Sequence, residues 1–337
     1  MPEGVEVRKF ADILIHNLVG HSITEVNILK GRYTKKAFDG FRALVDALPA
    51  KVISVKCKGK MTYIELQPVQ PASGGSSIWL INTLGLTGGW TVAAKEKKDL
   101  HGDSRMRYLK KNKDNAAGVA SAGDGLIFAY PIIWEYISNN NSNEWFERAL
   151  EHLNVEFVID DGRRAYFYDQ LSFGTLKMID DRKELDKKLR ELGADMLDES
   201  TGLEVFIKAI RKSANKDKAI GNVLVNQRVV SGIGNYLRAD ALWLARISPF
   251  RKVGELDDIE LERIYKSVRA LMWGDYAPEE ARKKGYISSD FKIPHDYGRE
   301  FFVYRQETDT EGRKVAKAEL YEGTQKRFIY WVKDIQV

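Results

Sequence analysis

The chain has 337 residues, of which 44% are hydrophobic and 30% charged. That composition supports a sizeable core and, at roughly 100–200 residues per domain, more than one domain; it excludes a disordered tail. No apolar run approaches the ~18 residues that span a bilayer, and Met1-Pro2-Glu3 opens without the apolar stretch of a secretory signal, so an intracellular protein is expected. The net charge of +5 is unevenly placed: residues 205–337 carry +6 and the remainder −1. A polyanion would therefore be met by the C-terminal part, although an ordinary solvated surface also accounts for a charge of that size. The single cysteine, Cys57, rules out an internal disulfide and zinc sites of four cysteines or of two cysteines and two histidines; the five histidines are scattered.

In chain order, Val5, Ala11, Leu14, Ile15 and Leu18 recur at helical spacing behind Pro2 and the acidic Glu3 and Glu6, which predicts an amphipathic helix from about residue 4 to 18. The period then shortens. Segments 22–30, 51–57, 61–67, 77–82, 89–94, 126–130 and 165–169 are β-rich and broken by Gly, Pro, Asn or Asp, as in a sandwich or barrel. Residues 68–77 and 138–143 read as polar surface loops. From about residue 180 the pattern turns helical: 183–192 as a charged linker helix, then 203–213, 217–224, 235–246 and 257–273. Residues 276–300 read as irregular. The tail returns to β at 301–304, 315–321 and 327–332, with Glu322-Gly323-Thr324 as a hairpin turn.

The most informative stretch runs from Asn226 through Gly232-Ile233-Gly234-Asn235 to Trp243. Glycines let backbone approach an anion, the free amides at a helix start bind phosphate, and Asn235 either caps the helix or donates to a phosphate oxygen. An ordinary tight turn with an N-cap gives the same short pattern. At the other end of the chain, removal of the initiator Met would make Pro2 a free secondary amine. Its pKa of about 7.7–8.0, against about 10.4 for lysine, leaves on the order of 100-fold more neutral nucleophile near pH 7. Glu3 stands beside it to move protons.

These motifs together resemble the formamidopyrimidine-DNA glycosylase/endonuclease VIII family. Gln227 to Asn235 is similar to its helix–two-turn–helix module, and Pro2-Glu3-Gly4-Val5-Glu6 looks like the start of the endonuclease VIII enzymes, with Val5 where proline is usual. The resemblance implies that Pro2 is the Schiff-base nucleophile, Glu3 the general acid and Glu6 a further site glutamate. Lys58-Gly59-Lys60 resembles the strand turn whose lysine binds a phosphate beside the lesion and aids strand cleavage, a role carried to Lys60; a solvated turn lysine is the plainer alternative. The tail from Arg327 to Gln336 resembles the last strand of the family's zinc finger, and Arg327 keeps the place of its phosphate-gripping arginine. The finger's cysteines are missing, with Val332 and Ile335 at two of their positions, as in the "zincless finger" of some endonuclease VIII-like proteins. The hairpin is then expected to be held by apolar contacts of Tyr330, Val332 and Ile335.

A glycosylase must extrude its target base and fill the gap. Leu84-Gly85-Leu86-Thr87-Gly88 resembles the family loop that carries a wedge, placing Leu86 there, and 168–175 resembles the loop that supplies an arginine and a stacking aromatic. Phe173 is present, but Leu171 and Ser172 stand in place of the arginines. Simple core packing is the alternative for both Leu86 and Phe173.

The expected fold is therefore α+β and multidomain. Residues 1–180 form an N-terminal helix and two-layered β-sandwich and 181–200 a linker. Residues 201–285 form a helix–two-turn–helix DNA-binding domain with its phosphate site at Gly232, Gly234 and Asn235, and 286–337 a zincless β-hairpin finger. The resemblance implies a monomeric, cofactor-free and metal-free DNA glycosylase/AP lyase of base-excision repair. It would remove oxidised pyrimidines and ring-opened purines from damaged double- or single-stranded DNA by β,δ-elimination, in a compartment with access to DNA. The alternatives are an 8-oxoguanine preference within the family and a non-catalytic nucleic-acid-binding protein that retains the fold.

Overall fold

The structure, a computed structural model, describes residues 2–70, 76–99, 107–110, 127–130, 151–294, 297, 300–322 and 325–337. The predicted loop at 138–143, residues 71–75 of the one at 68–77 and the hairpin turn at Gly323-Thr324 lie outside the described residues. The chain divides into two compact units, residues 1–2 with 6–187 and residues 3–5 with 188–337.

The first unit begins with helix α1 (Gly4–Leu18), whose first residues belong to the second unit. Its apolar stripe of Val7, Phe10, Ala11, Leu14 and Leu18 packs into the core, as its 3.6-residue period requires. The strands are β1 (Ser22–Ile28), β2 (Ala50–Lys58), β3 (Met61–Pro68), β4 (Ile78–Thr83), β5 (Gly88–Ala94), β6 (Arg107–Lys110), β7 (Ile127–Tyr130), β8 (Leu153–Ile159), β9 (Arg164–Asp169) and β10 (Thr175–Ile179). They form one continuous antiparallel sheet in the order β10-β4-β3-β2-β1-β8-β9-β5-β7-β6. Leu80, Trp90, Phe157, Tyr166 and Phe167 are among its fully enclosed core residues. A short helix α2 (Phe41–Asp46) and the strands β8 and β10 are additions to the sequence reading.

In the second unit, helix α3 (Arg182–Glu191), which spans the division, leads to α4 (Leu203–Ile210), α5 (Ile220–Val225), α6 (Asn235–Leu244), α7 (Asp258–Tyr276) and α8 (Pro278–Lys283). Two short strands, β11 (Ala194–Asp195) and β12 (Val230–Ser231), pair in parallel. A capping box starts α7: the Glu260 amide donates to Asp257 Oδ1 at 2.7 Å and the Asp257 amide to Glu260 Oε2 at 2.9 Å. Part of the segment read as irregular is helix α8, which Pro278 begins from the first helical position that suits it. The hairpin is β13 (Ala316–Glu322) paired with β14 (Gln325–Trp331), Leu320 facing Arg327.

Residues 301–304, expected as a strand, form a turn instead. The cause is Asp240 on α6, which is fully buried: one carboxylate oxygen accepts the amides of Val303 and Tyr304, the other the amide of Phe302 and the Tyr297 hydroxyl, all at 3.0–3.1 Å. Asp309 plays a similar part further along. It accepts from Trp243 Nε1 (3.0 Å), Arg313 Nε (2.8 Å) and the amides of Glu311 and Arg313. Val332 is fully buried and Ile335 and Tyr330 half-buried against the same core, so apolar contact and these two carboxylates together hold the finger region.

Burial pushes the Asp240 carboxyl up to about 6, against the pull of its four hydrogen bonds. The folded state therefore binds more protons than the unfolded state between about pH 4 and 6. The Asp240 contribution is present in full below the unfolded pKa and is lost as pH rises through 6. We expect the stability difference between wild type and Asp240→Asn, measured by urea melts, to fall with pH across that window and to level off above it. Asp240→Ala, which strips four donors of their acceptor, should cost at least ~2 kcal/mol at neutral pH.

Candidate active site

Glu3 is fully buried, and its carboxylate sits on the N-terminus of α6. The Gly234 amide donates to Oε2 at 2.6 Å, the Leu237 amide to the same oxygen at 3.3 Å, and the Tyr236 amide to Oε1 at 3.0 Å. These are the orphan amides of a helix start, and an acidic side chain there is favoured by the helix dipole. The preceding turn makes this possible. Gly232 adopts a positive φ of 95°, and the Gly4 amide donates to its carbonyl at 2.8 Å. A Cβ on Gly4 would lie 2.9 Å from Gly232 Cα, so only glycine permits this approach. The sequence-predicted Glu3, Gly232 and Gly234 are thus brought together, and Pro2 is joined to Glu3 by one peptide bond.

Asn235 opens α6 and is half-buried. Arg327 lies on β14, also half-buried. A residue the sequence reading passed over connects their surroundings: Arg238, fully buried, donates to Asn235 Oδ1 (3.3 Å), to the carbonyl of Phe328 (2.9 Å) and to that of Gly221 (3.1 Å). Its one sequence signal is a guanidinium among the apolar residues from Tyr236 to Trp243, where Asp240 is the other charged residue, three residues from Asn235.

In the first unit, Lys58 pairs with Met61, so Gly59 and Lys60 form the two-residue turn between β2 and β3; Lys60 is half-buried there. Glu6 is half-buried in the first turn of α1. Leu86 and Phe173 are not core residues: they are 39% and 58% exposed, and Leu171 is 48% exposed. Their two loops are locked to each other. Thr87 Oγ1 donates to Asp169 Oδ1 at 2.5 Å, Asp169 Oδ2 accepts the Gly174 amide at 2.5 Å, and the Leu171 amide donates to Thr87 Oγ1 at 3.0 Å. At Gly85, with φ of 63°, a Cβ would fall 2.6 Å from the Gly174 nitrogen. Arg32 completes the fastening through the Gly174 carbonyl at 2.6 Å. The apolar tips thus protrude from rigid loops.

Among the described residues one group brings metal-ligand types together, His21, Asp160 and Asp161. His21 Nδ1 lies 3.1 Å from Asp160, and Asp161 pairs with Arg163 at 2.6 Å, so these side chains already engage one another.

Residues 192–277 match the family model of the formamidopyrimidine-DNA glycosylase H2TH domain, which places the chain in the helix–two-turn–helix class. Residues 1–176 match that of the formamidopyrimidine-DNA glycosylase N-terminal domain, and the chain belongs to the formamidopyrimidine-DNA glycosylase family. The enzyme of that name from Thermus thermophilus is 34% identical over 153 residues, 44% of this chain and 55% of that protein. The one from Herpetosiphon aurantiacus is 29% identical over 126 residues, 37% and 45%. The matched part spans about half the length of these relatives. For Corynebacterium glutamicum strain R the match is 23% over 273 residues, 81% and 77%. A solved complex of the Lactococcus lactis Fpg with DNA containing an abasic site aligns over 99% of both chains with a TM-score of 0.64 at 19% identity, a likeness of fold.

The clamp between the exposed loops has a direct readout. Replacing Thr87 by Val removes one donor and one acceptor, about 0.5–1.5 kcal/mol of local stability. Hydrogen exchange of the Leu171 and Gly174 amides should speed up by about fivefold or more while β3 and β4 keep their protection.

Proposed function

We propose that this chain is a bifunctional DNA glycosylase/AP lyase of base-excision repair, in the endonuclease VIII-like branch. The observation that carries the reading is the seating of Glu3 on the Gly-Ile-Gly-Asn helix start, with Pro2 as its neighbour. With Met1 removed, the Pro2 nitrogen attacks C1′ of the damaged nucleotide and the base departs. The resulting iminium decays by β- and then δ-elimination. Glu3 moves the proton required by the departing base or the ring oxygen, and three amides hold its carboxylate in one orientation for that step. Glu6 supports the same site. Lys60, Asn235 and Arg327 grip backbone phosphates, with the amides after Gly232 and Gly234 adding fixed donors. Leu86 fills the space left by the extruded base and Phe173 stacks on the remaining pair.

Substrates in this reading are oxidised pyrimidines and ring-opened purines in double- or single-stranded DNA. The protein works as a monomer without metal or cofactor, inside the cell where DNA is accessible. Leu171, exposed, and Ser172, half-buried, offer no guanidinium donor to the orphaned partner base, which supports weak discrimination of the opposite base.

Sodium borohydride in the presence of an oligonucleotide with one abasic site should join the protein covalently to DNA, and Pro2→Gly should trap at least ~10-fold less. Salt-sensitive binding with no trapped complex would instead identify a non-catalytic DNA-binding protein. Oligonucleotides with single defined lesions then separate an oxidised-pyrimidine preference from one for 8-oxoguanine.

A further inference from the structure

We infer that Arg238 is a positioning residue for DNA binding: it aims the Asn235 amide and sets the strand of Arg327, so that the two act as one phosphodiester clamp. This rests on the proposed phosphate role of Asn235 and Arg327.

Arg238 is 0% exposed, yet among the described residues its hydrogen bonds run to uncharged oxygens only: the Gly221 carbonyl of α5, the Phe328 carbonyl of β14 and Asn235 Oδ1 at the head of its own helix. Its Nε is buried without an acceptor. Burying a guanidinium without a carboxylate is costly, so an apolar side chain would serve packing better. Burial lowers its pKa to about 10, and the nearby charge of Arg327 pushes the same way while Glu3 opposes it. At neutral pH the side chain keeps its charge, and beside Arg327 the two guanidiniums favour a further anion besides Glu3. A phosphodiester bound at Asn235 and Arg327 supplies one.

The fork also decides orientation. A side-chain amide has a carbonyl end and an NH2 end. With Oδ1 of Asn235 taken by Arg238, the Nδ2 donors are turned away from the buried guanidinium, the polarity that a phosphate oxygen requires. The bond to the Phe328 carbonyl fixes the backbone one residue from Arg327. Gly221, the third anchor, is closely approached, since a Cβ there would meet Leu320 at 2.8 Å and the Pro249 carbonyl at 2.9 Å. A planar fork reaches three acceptors in fixed directions; a lysine ammonium does not.

The test is a double-mutant cycle on affinity for a duplex carrying a tetrahydrofuran abasic analogue. Arg238→Lys should weaken binding by about tenfold. Asn235→Ala should cost about tenfold in the wild-type background but no more than about twofold in the Arg238→Lys background. For Arg238→Lys, single-turnover cleavage of a duplex with a natural abasic site, at saturating protein, should stay within about twofold of wild type, a split between binding and chemistry that general damage to the fold would not give. Effects that multiply independently, or an Arg238→Lys protein that binds as wild type, would overturn the inference.

Asn235→Asp keeps the test open where Arg238→Lys does not fold. It retains the acceptor for Arg238 but replaces the outward donor with an acceptor. It should melt no lower than wild type yet bind DNA more weakly than Asn235→Ala; equal affinity of the two variants would also overturn the inference. The affinity readouts do not depend on chemistry, so they are separate from borohydride trapping, and a failed lyase assignment leaves them interpretable.

Discussion

One carboxylate on three amides organises the N-terminal end of this chain. Residues next to a terminus ordinarily fray, because few contacts offset the entropy of ordering them. Here Glu3 meets the start of α6, where backbone donors have no partners within their own helix and the dipole is positive. The Gly4 amide on the Gly232 carbonyl adds a fourth tie. Successive Cα atoms stand about 3.8 Å apart, so fixing Glu3 confines Pro2 to a small volume around the same helix terminus. In the proposed reaction the Pro2 amine, next to such an anchor, needs no loop to deliver it. That is why the seating of Glu3, rather than the presence of proline alone, carries the functional reading.

The same helix organises the rest of the second unit. Over ten residues α6 offers its amides to Glu3, holds Asn235 Oδ1 against Arg238, crosses to β14 through Arg238, collects three amides of 302–304 on Asp240, and reaches Asp309 through Trp243. Asp240 and Asp309 explain how the irregular segments before the terminal hairpin keep their shape. A buried carboxylate takes up several donors from an irregular loop and so satisfies backbone that has no strand or helix partner. The two differ in their partners: Asp309 has the Arg313 guanidinium beside it, whereas Asp240 accepts from three amides and a hydroxyl, and burial moves its carboxyl upward.

What was legible in the sequence follows from locality. Helices 4–18 and 257–273 are readable because a polar face survives over much of each and keeps the period in the residues, whereas the helix at 235–246 is buried throughout from Tyr236 to Trp243 and is legible from its glycine start and Ser-Pro stop. The strand at 153–159 escapes, because nearly every residue from Leu153 to Ile159 is buried and no alternation remains. Residues 301–304 have β-rich side chains, but their amides are claimed by Asp240, some sixty residues earlier, and no local propensity registers that. The site divides the same way. Pro2, Glu3, Lys60, Gly232, Gly234 and Asn235 sit in contiguous motifs and could be named. Arg238, Asp240 and the Thr87–Asp169 clamp act across long sequence separations and emerge only once the chain is folded.

The exposed loops give the proposed function its physical limit. Leu86, Leu171 and Phe173 protrude from segments held by Thr87, Asp169 and Arg32, so their exposure is not slack in the fold. Rigid apolar tips can occupy a gap in a base stack and restore some of the contact that extrusion removes, but they carry no directional donors. Discrimination by hydrogen bonds against a wrong base is worth about 1–3 kcal/mol per good pair, and apolar insertion forgoes it. Selectivity must then come from the damaged base: how easily it leaves the stack and how well it fits where it is received. Damage that has already weakened pairing and stacking lowers the energy of extrusion, and a wedge that ignores the partner base exploits that difference in any sequence context.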